Sequence, residues 1–274
     1  RGVFVQGSYA YIAAYDDNMV EILDVSEAAR PRHLSTITTD GGGAGITAPW
    51  DVFVSGNHLF VTTDDGTFGT LEIYNVSDPE RPIGVGQIVG NASNTMEEPI
   101  NVYVEGKYAY VVSVNDDQIS MIDVSTITNP KFTDTIDFGT LGAYDVVASG
   151  RYAYVARSNS VGTSGNLNIV DISSSTNIVT VDSLSGGGGL QALSLVGNYV
   201  YTIIDDTTGD GSDDGFWVVD ITSSTNAVLT TVATAATQPA DFTSSLSDPS
   251  GIAVSGNNVY LLTPGADALD AVDI

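Results

Sequence analysis

The sequence predicts an all-β fold: a six-bladed β-propeller with four antiparallel strands in each blade and a last blade that lacks its outer strand. Three observations predict it. A strand, a glycine turn and a second strand recur six times, another strand ending in Asp or Asn follows every copy, and the copies are evenly spaced along 274 residues. Long repeats built from short strands are typical of propeller blades.

The first repeated segment is predicted to be a β-hairpin, because an alternating strand enters a tight glycine turn and a second strand leaves it. The six copies cover residues 3–12, 52–61, 102–111, 146–155, 193–202 and 252–261. The turn glycines lie 44 to 59 residues apart, at Gly7, Gly56, Gly106, Gly150, Gly197 and Gly256. Aromatic residues of the second strands, such as Tyr9 and Tyr11, are expected to pack between neighbouring blades.

A third strand follows each hairpin and ends in an acid or an amide. These residues are Asp24, Asn75, Asp123, Asp171, Asp220 and Asp273. We expect each side chain to accept a backbone N–H from the polar turn that follows. A fourth strand then appears in five copies, for example over 33–39 and 131–138.

The whole chain, residues 1–274, is therefore predicted to be a single propeller domain, since two separate sandwiches would not give this even spacing. Its blades cover approximately residues 1–48, 49–99, 100–142, 143–190, 191–249 and 250–274. The sixth copy leaves no segment for a fourth strand. Its third strand is expected to be an open edge with unpaired backbone groups.

The charge balance excludes several classes of function. The chain has 34 acidic and 8 basic residues, a net charge of −26. Such a surface repels phosphate backbones and anionic lipids, so we expect neither nucleic-acid binding nor electrostatic membrane docking. Membrane insertion is not expected either, because no run of apolar residues is long enough to span a bilayer. Cysteine is absent, which removes disulfides and thiol catalysis.

The repeated wording V-x-V-x-G-x-Y-A-Y-V and L-x-I-V-D-V-S, followed by P-x-x-P, resembles the LVIVD-repeat family of bacterial and archaeal surface propellers. The resemblance covers nearly the whole chain. Blades 1 to 4 fit well, blade 5 is longer and blade 6 is degenerate. It implies a prokaryotic protein that is exported to the cell surface or the extracellular medium. It implies no particular reaction, because the family carries no catalytic signature.

Three polar residues precede the first strands of blades 2, 3 and 4, and they are Asp51, Asn101 and Asp145. At one mouth of the propeller channel they could hold a metal, as in six-bladed lactonases. Alternatively, they stabilise turns through hydrogen bonds, which we favour because the set of ligands is partial. The two histidines, His33 and His58, lie elsewhere in the repeat.

Blade 5 carries an Asp-rich loop that predicts a calcium site. Its oxygen ligands would come from Asp206, Thr208, Asp210 and Asp214. Alternating oxygen ligands around a glycine approach the D-x-[DN]-x-[DN]-G loops that bind Ca²⁺. The Glu expected at the twelfth position is replaced by Trp217, so the likeness is to shorter calcium loops. A solvated hairpin loop is the alternative.

Two N-x-S tripeptides are candidate glycosylation sites, at Asn91 and Asn75. They matter only in an exported protein of a glycosylating host. Asn91 is the better acceptor, because it lies in a loop, whereas Asn75 belongs to the strand-ending series.

The open edge of the last blade has three explanations. The sequence is part of a longer protein, the edge is tolerated, or a segment of another subunit pairs with it by β-augmentation. The third explanation gives a head-to-tail contact, which generates rings or fibres.

We therefore predict a non-catalytic, extracellular structural or cell-surface propeller that self-associates into a fibre or surface assembly by strand sharing. Its partners would be copies of itself or another surface protein. The alternatives are an adhesion module for protein or glycan, and a metal-dependent hydrolase with a channel metal.

Overall fold

A computed structural model describes residues 1–39, 45–64, 66, 68–159, 162–186, 188–205, 214–234, 249–263 and 268–273. The chain falls into two compact units, residues 1–137 and 138–274. In the described ranges the regular elements are β-strands. No helix among them has the length and apolar character needed to cross a membrane.

The first unit contains three four-stranded antiparallel sheets, and in each sheet the strands neighbour one another in chain order. Blade 1 consists of β1 (Val3–Gln6), β2 (Tyr9–Ala14), β3 (Met19–Asp24) and β4 (Arg32–Ile37). Blade 2 consists of β5 (Pro49–Ser55), β6 (His58–Asp64), β7 (Gly69–Asn75) and β8 (Ile83–Val89). Blade 3 consists of β9 (Pro99–Glu105), β10 (Tyr108–Ser113), β11 (Gln118–Asp123) and β12 (Lys131–Asp137).

The second unit contains two sheets of four strands and one of three. Blade 4 consists of β13 (Gly142–Ser149), β14 (Tyr152–Ser158), β15 (Gly165–Asp171) and β16 (Val179–Gly186). Blade 5 consists of β17 (Gly189–Val196), β18 (Tyr199–Asp205), β19 (Gly215–Asp220) and β20 (Val228–Thr234). Blade 6 consists of β21 (Gly251–Ser255), β22 (Asn258–Thr263) and β23 (Ala268–Asp273).

These sheets confirm the predicted fold class. Over the described ranges the chain is an all-β, six-bladed propeller with five four-stranded blades and a three-stranded last blade. Each predicted hairpin has its glycine in the turn between the first two strands, and the six turn glycines have φ between 60° and 63°. Glycine adopts this left-handed conformation without the steric cost that a Cβ adds. The expectation of a single domain stays a prediction.

Apolar side chains fill the space between consecutive blades of the same unit. Between blades 1 and 2, Tyr11 and Ile22 pack in one buried cluster with Val52 and Val54. Corresponding clusters lie between blades 2 and 3 and between blades 5 and 6. The prediction that aromatic residues of the second strand pack between blades is confirmed for Tyr11, which is almost fully buried.

The outer pairing of each four-stranded blade contains one irregularity that the sequence does not predict. The register between the third and fourth strands shifts at corresponding points of all five such sheets. A β-bulge of this kind redirects the side chains that follow it. In blade 1 the Ser35 hydroxyl donates to the carbonyl of Pro79 in blade 2. In blade 4 the Asp182 carboxylate accepts the N–H of Ala227 in blade 5 at 3.0 Å.

Blade 2 has Gly86 at the corresponding position, where the next blade approaches closely. A Cβ on this residue would lie 2.0 Å from the carbonyl oxygen of Ile127 in blade 3. Only glycine therefore fits here without a shift of backbone. Hydrogen bonds in blades 1 and 4 and close contact in blade 2 hold the fourth strand of one blade against a turn of the next.

Candidate functional site

Asp51, Asn101 and Asp145 occupy equivalent places in the first strands of blades 2, 3 and 4. Each lies inside its strand rather than before it, which corrects the boundaries expected from the sequence. The strand begins earlier because the preceding residue is a β-bulge that leaves the ladder on both sides intact. The bulged residues are Trp50, Ile100 and Tyr144.

The carboxylates of Asp51 and Asp145 make the same kind of contact with the next blade. Asp51 Oδ2 accepts the backbone N–H of Val102 at 3.1 Å. Asp145 Oδ2 accepts the N–H of Leu193 at 2.6 Å, and its Oδ1 accepts the N–H of Val146 at 2.7 Å. Val102 and Leu193 both belong to the first strand of the following blade, so each carboxylate joins two consecutive blades.

Burial changes the proton affinity of this group in blade 2. Loss of hydration raises the pKa of Asp51 to about 6, while hydrogen bonds from the backbone of Val102 and Val52 act in the opposite direction. Gly2 lies directly against the carboxylate, since a Cβ on Gly2 would be 2.1 Å from Asp51 Oδ1. Asp51 is thus a partly buried acid whose protonation changes between acidic and neutral pH.

Within the described part of the chain, no additional set of ligands supports the hypothesis of a metal in the channel. There, no three His, Cys, Asp or Glu side chains come together in a way that could hold a metal ion. His33 pairs with the hydroxyl of Thr36 at 3.0 Å in the outer strand of blade 1, and His58 begins β6. The oxygens of Asp51 and Asp145 instead accept backbone N–H groups. A metal at this place stays a prediction.

The strand-ending side chains behave as predicted in the first five blades. Each accepts the backbone N–H two residues further on, at distances of 2.8 to 3.0 Å, and the acceptors are Asp24, Asn75, Asp123, Asp171 and Asp220. Hydrogen bonds from the hydroxyls of Ser125 and Thr222, and next from their backbone N–H groups, lower the pKa of Asp123 and Asp220 respectively. The repeated acid therefore closes an Asx-turn after the third strand, which is a structural role.

Most of the predicted calcium loop lies outside the described residues, namely Asp206, Thr208 and Asp210. Asp214 is described and is nearly fully buried directly before β19. At the end of β18, Asp205 is also buried, and its carboxylate accepts a hydrogen bond from Gln191. Acids at this end of blade 5 are therefore not all solvated. Calcium binding here stays a prediction.

The two N-x-S asparagines differ in their surroundings. Asn91 is exposed, and its side-chain oxygen accepts the N–H of Ser93 at 2.9 Å. Asn75 ends β7 and accepts the N–H of Ser77 at 2.9 Å. Both side chains thus form Asx-turns, and glycosylation at either stays a prediction.

Blade 6 presents two surfaces that the other blades cover. In the described ranges β23 pairs with β22 and with no further strand. On the face of the same sheet, Leu262 is 49% exposed and Leu269 is 69% exposed. We refer to the exposed face carrying Leu262 and Leu269 as the blade-6 face.

Blade 1 exposes apolar side chains from its first strand. Val3 is 63% exposed and Val5 is 58% exposed. The corresponding valines of blade 2, Val52 and Val54, are 2% and 3% exposed. We refer to the surface carrying Val3 and Val5 as the blade-1 face. Neither face was predictable from the sequence, because exposed and buried copies of the repeat carry similar apolar residues.

One buried cation was also missed. Arg157 of β14 is nearly fully buried, and its guanidinium donates to the carbonyls of Phe138 and Leu141 and to the side chain of Asn168. It also stacks on the Phe138 ring, with 4.5 Å between the guanidinium carbon and the ring centroid. A buried guanidinium needs such a set of acceptors. Arg157 therefore fixes the segment that enters blade 4.

The four-stranded meander, its Asx-turns and its blade-joining carboxylates define a repeat propeller. The chain belongs to the LVIVD repeat family, whose repeat matches residues 1–39, 47–88, 100–137 and 142–185, more than half of its length. These matches fall on blades 1 to 4, the blades whose sequences fit the family motifs well. Among curated proteins, none matches the sequence.

Solved structures share the fold at low sequence identity. The computationally designed protein Ika8 has a TM-score of 0.65 at 12% identity, and the match covers 100% of this chain and 70% of that one. A functionally unknown protein from Desulfotomaculum acetoxidans has a TM-score of 0.69 at 16% identity, and the match covers 94% of this chain and 73% of that one. A protein from Lactobacillus plantarum has a TM-score of 0.67 at 13% identity, covering 99% and 80%. These similarities concern the fold alone.

Proposed function

We propose that this protein is a non-catalytic, extracellular structural or cell-surface propeller that self-associates through its last blade. The observation that carries the proposal is the edge of β23, which pairs on one side among the described strands. An exposed edge presents a row of backbone N–H and C=O groups that another strand can satisfy. Strand addition at such an edge is a recurring mode of recognition.

The surface chemistry supports an extracellular setting. The chain has a net charge of −26, and the resemblance to LVIVD surface propellers implies export. High net charge keeps an exposed protein soluble and disfavours contact with anionic polymers. Assembly must therefore rest on backbone pairing or apolar contact rather than on general attraction.

The polar and acidic side chains that were candidates for a functional site support a structural role. Two of the three polar residues predicted at the channel mouth, Asp51 and Asp145, accept N–H groups of the next blade. The acids that recur at strand ends close turns. Groups used in this way hold the backbone in place, and their removal is expected to change stability before it changes any reaction.

Calcium is proposed as a stabilising ion of blade 5. If Asp206, Thr208, Asp210 and Asp214 bind Ca²⁺ in the folded state, added calcium raises Tm and a chelator reverses the rise. We expect about 2–4 °C for each kcal/mol of binding free energy in a chain of this size. Differential scanning calorimetry of wild type and Asp210→Asn provides the measurement, with Asp16→Asn as the matched control. Equal Tm with and without calcium would refute the site.

Self-association is expected to appear as growth in mass with protein concentration. Sedimentation velocity over roughly a thousandfold concentration range covers association from weak to moderately tight. Hydrogen exchange supplies the second readout: amides of β23 that exchange rapidly in dilute samples become protected in the assembly. Amides of β22, which pairs on both sides, provide the internal control. Assembly without added protection in β23 would argue against strand sharing.

A further inference from the structure

Two serine hydroxyls of blade 3 are fully buried and have no partner in the protein. Ser113 of β10 and Ser120 of β11 are both 0% exposed. In the part of the chain that the structure describes, no protein atom forms a hydrogen bond with either Oγ. Buried polar atoms are nearly always hydrogen-bonded, because the loss of hydration is otherwise not compensated. Both hydroxyls therefore need a partner that the protein itself does not supply.

The register of blade 3 places the two hydroxyls on one face of the sheet. Ser113 lies opposite Gln118, and Ser120 lies opposite Val111, so the two serines are diagonal neighbours on adjacent strands. Val111 belongs to the buried cluster that joins blades 2 and 3, so this face lies against blade 2. Diagonal Cβ atoms in an antiparallel pair are about 7 Å apart. One water bonded to two oxygens holds them roughly 4.5–5.5 Å apart, which suits such a pair.

The polar side chain beside the two serines is already engaged elsewhere. Gln118 Nε2 donates to Thr95 Oγ1 at 3.1 Å and to Asp116 Oδ2 at 2.7 Å. Thr95 belongs to the segment before β9, and Asp116 belongs to the turn before β11. The amide nitrogen of Gln118 therefore does not satisfy Ser113, although the two residues face one another across the strand pair.

Blade 4 fills the equivalent positions with large polar side chains. Arg157 stands in β14 where Ser113 stands in β10, and Asn168 stands in β15 where Ser120 stands in β11. There the guanidinium donates to Asn168 Oδ1 at 3.3 Å and to two backbone carbonyls. The side chains of blade 4 thus reach hydrogen-bond partners that the short serines of blade 3 do not reach.

We propose that one buried water molecule bridges Ser113 Oγ and Ser120 Oγ, and that it links these two positions as the Arg157–Asn168 hydrogen bond links them in blade 4. A serine hydroxyl both donates and accepts, so a single water satisfies both serines. Water rather than a metal ion is the ligand that fits, since Ca²⁺ and Mg²⁺ bind mainly to carboxylate and carbonyl oxygens. The site lies within the first unit and does not depend on the proposed function.

Alanine variants test the bridge by the sign of their effect. Ser113→Ala or Ser120→Ala removes one partner of the water and weakens the bonding of the other hydroxyl. Tm is therefore expected to fall by roughly 2–4 °C in each single variant. Because both serines share one water, the double variant is expected to lose less than the sum of the single losses.

Ser149→Ala is the control for these calorimetric measurements. It removes an exposed hydroxyl at the end of β13, so Tm is expected to stay close to the wild-type value. Without a bound water, each buried alanine would instead remove a polar atom that has no partner, and Tm would rise. An unchanged or raised Tm in Ser113→Ala and Ser120→Ala would overturn the proposal.

A crystal structure of the wild type, at a resolution that shows ordered waters, supplies the direct readout. The expected result is one water within about 3.0 Å of both Oγ atoms. A site with no water, or a water that contacts one hydroxyl alone, would overturn the bridge. Both readouts are obtained from the single chain, so failure of self-association leaves them unchanged.

Discussion

Replacing Leu71 by alanine is expected to destabilise the first unit by about 2–5 kcal/mol, the range for removing a fully buried leucine side chain. Leu71 is completely buried in β7, where it packs in one cluster with Val102 and Val104 of blade 3. The substitution removes apolar burial and leaves a cavity between two blades. Urea unfolding followed by Trp50 fluorescence measures the change, in a Trp217→Phe background so that a single indole reports.

The chain provides a matched control for this experiment. Leu269 occupies in β23 the position that Leu71 occupies in β7, but it is 69% exposed. Leu269→Ala is therefore expected to change the free energy of unfolding in dilute samples by the small amount typical of surface substitutions, within about 0.5 kcal/mol. If the two substitutions proved equally costly, the difference in exposure between Leu71 and Leu269 would be contradicted.

Asp51→Asn is expected to stabilise the protein at neutral pH by about 3 kcal/mol. The pKa of Asp51 is raised from 3.8 to about 6 by burial. That difference of about 2 units corresponds to roughly 3 kcal/mol, at about 1.4 kcal/mol per unit. Asparagine keeps an oxygen that can accept the N–H of Val102 and removes the buried charge. Asn101 already occupies the equivalent position in blade 3.

The sign of the pH dependence follows from which state holds the proton more tightly. Below pH 4 the carboxyl is protonated in both folded and unfolded chains, so this group's stabilising contribution is fully present. Between about pH 4 and pH 6 the unfolded chain loses the proton first, and the wild-type free energy of unfolding falls. The difference between wild type and Asp51→Asn should therefore grow over this interval and level off above it.

A second variant separates charge from hydrogen bonding. Asp51→Ala leaves the N–H of Val102 without the acceptor that it has in the wild type. At pH 4 this variant is expected to be less stable than wild type by about 1–3 kcal/mol, because a buried donor loses its partner. Urea titrations of all three proteins from pH 4 to pH 8 provide the comparison. A constant difference between wild type and Asp51→Asn would contradict a raised pKa.

Much of the fold was predictable because each blade repeats the same short-range sequence signals. Alternating strands around Gly7 and its counterparts require a left-handed turn that glycine adopts readily. A strand-ending Asp or Asn accepts the N–H two residues later, as Asp24 does from Ser26. Both effects act over a few residues, so the sequence alone is sufficient to predict them.

The bulges in the first strands of blades 2, 3 and 4 were not predictable from these short-range signals. Trp50 and Tyr144 share neither size nor polarity with Ile100, although all three occupy a bulge before a polar residue. The acid that follows the bulge in blades 2 and 4 contacts the next blade, far along the chain: Asp51 accepts the N–H of Val102 and Asp145 accepts that of Leu193. For this reason the sequence alone predicts Asp51, Asn101 and Asp145 before their strands. It does not predict which groups of the next blade they contact.

The exposure of the two apolar faces was also not predictable from the sequence. Val5 and Val54 have the same neighbours in the repeat, a valine two residues before and a glycine two residues after. One is 58% exposed and the other 3% exposed, because only Val54 has a blade of this unit packed against it. Burial at such positions depends on what lies next to the sheet, which the repeat itself does not encode.

Sedimentation velocity of the wild type, combined with hydrogen exchange, tests the central claim most directly. We expect the mass of the wild type to grow with protein concentration and the rapidly exchanging amides of β23 to become protected in the assembly, while the amides of β22 stay unchanged. Higher salt should strengthen the association, because it screens the repulsion between chains of net charge −26. Single chains at every protein and salt concentration would contradict self-association through the last blade.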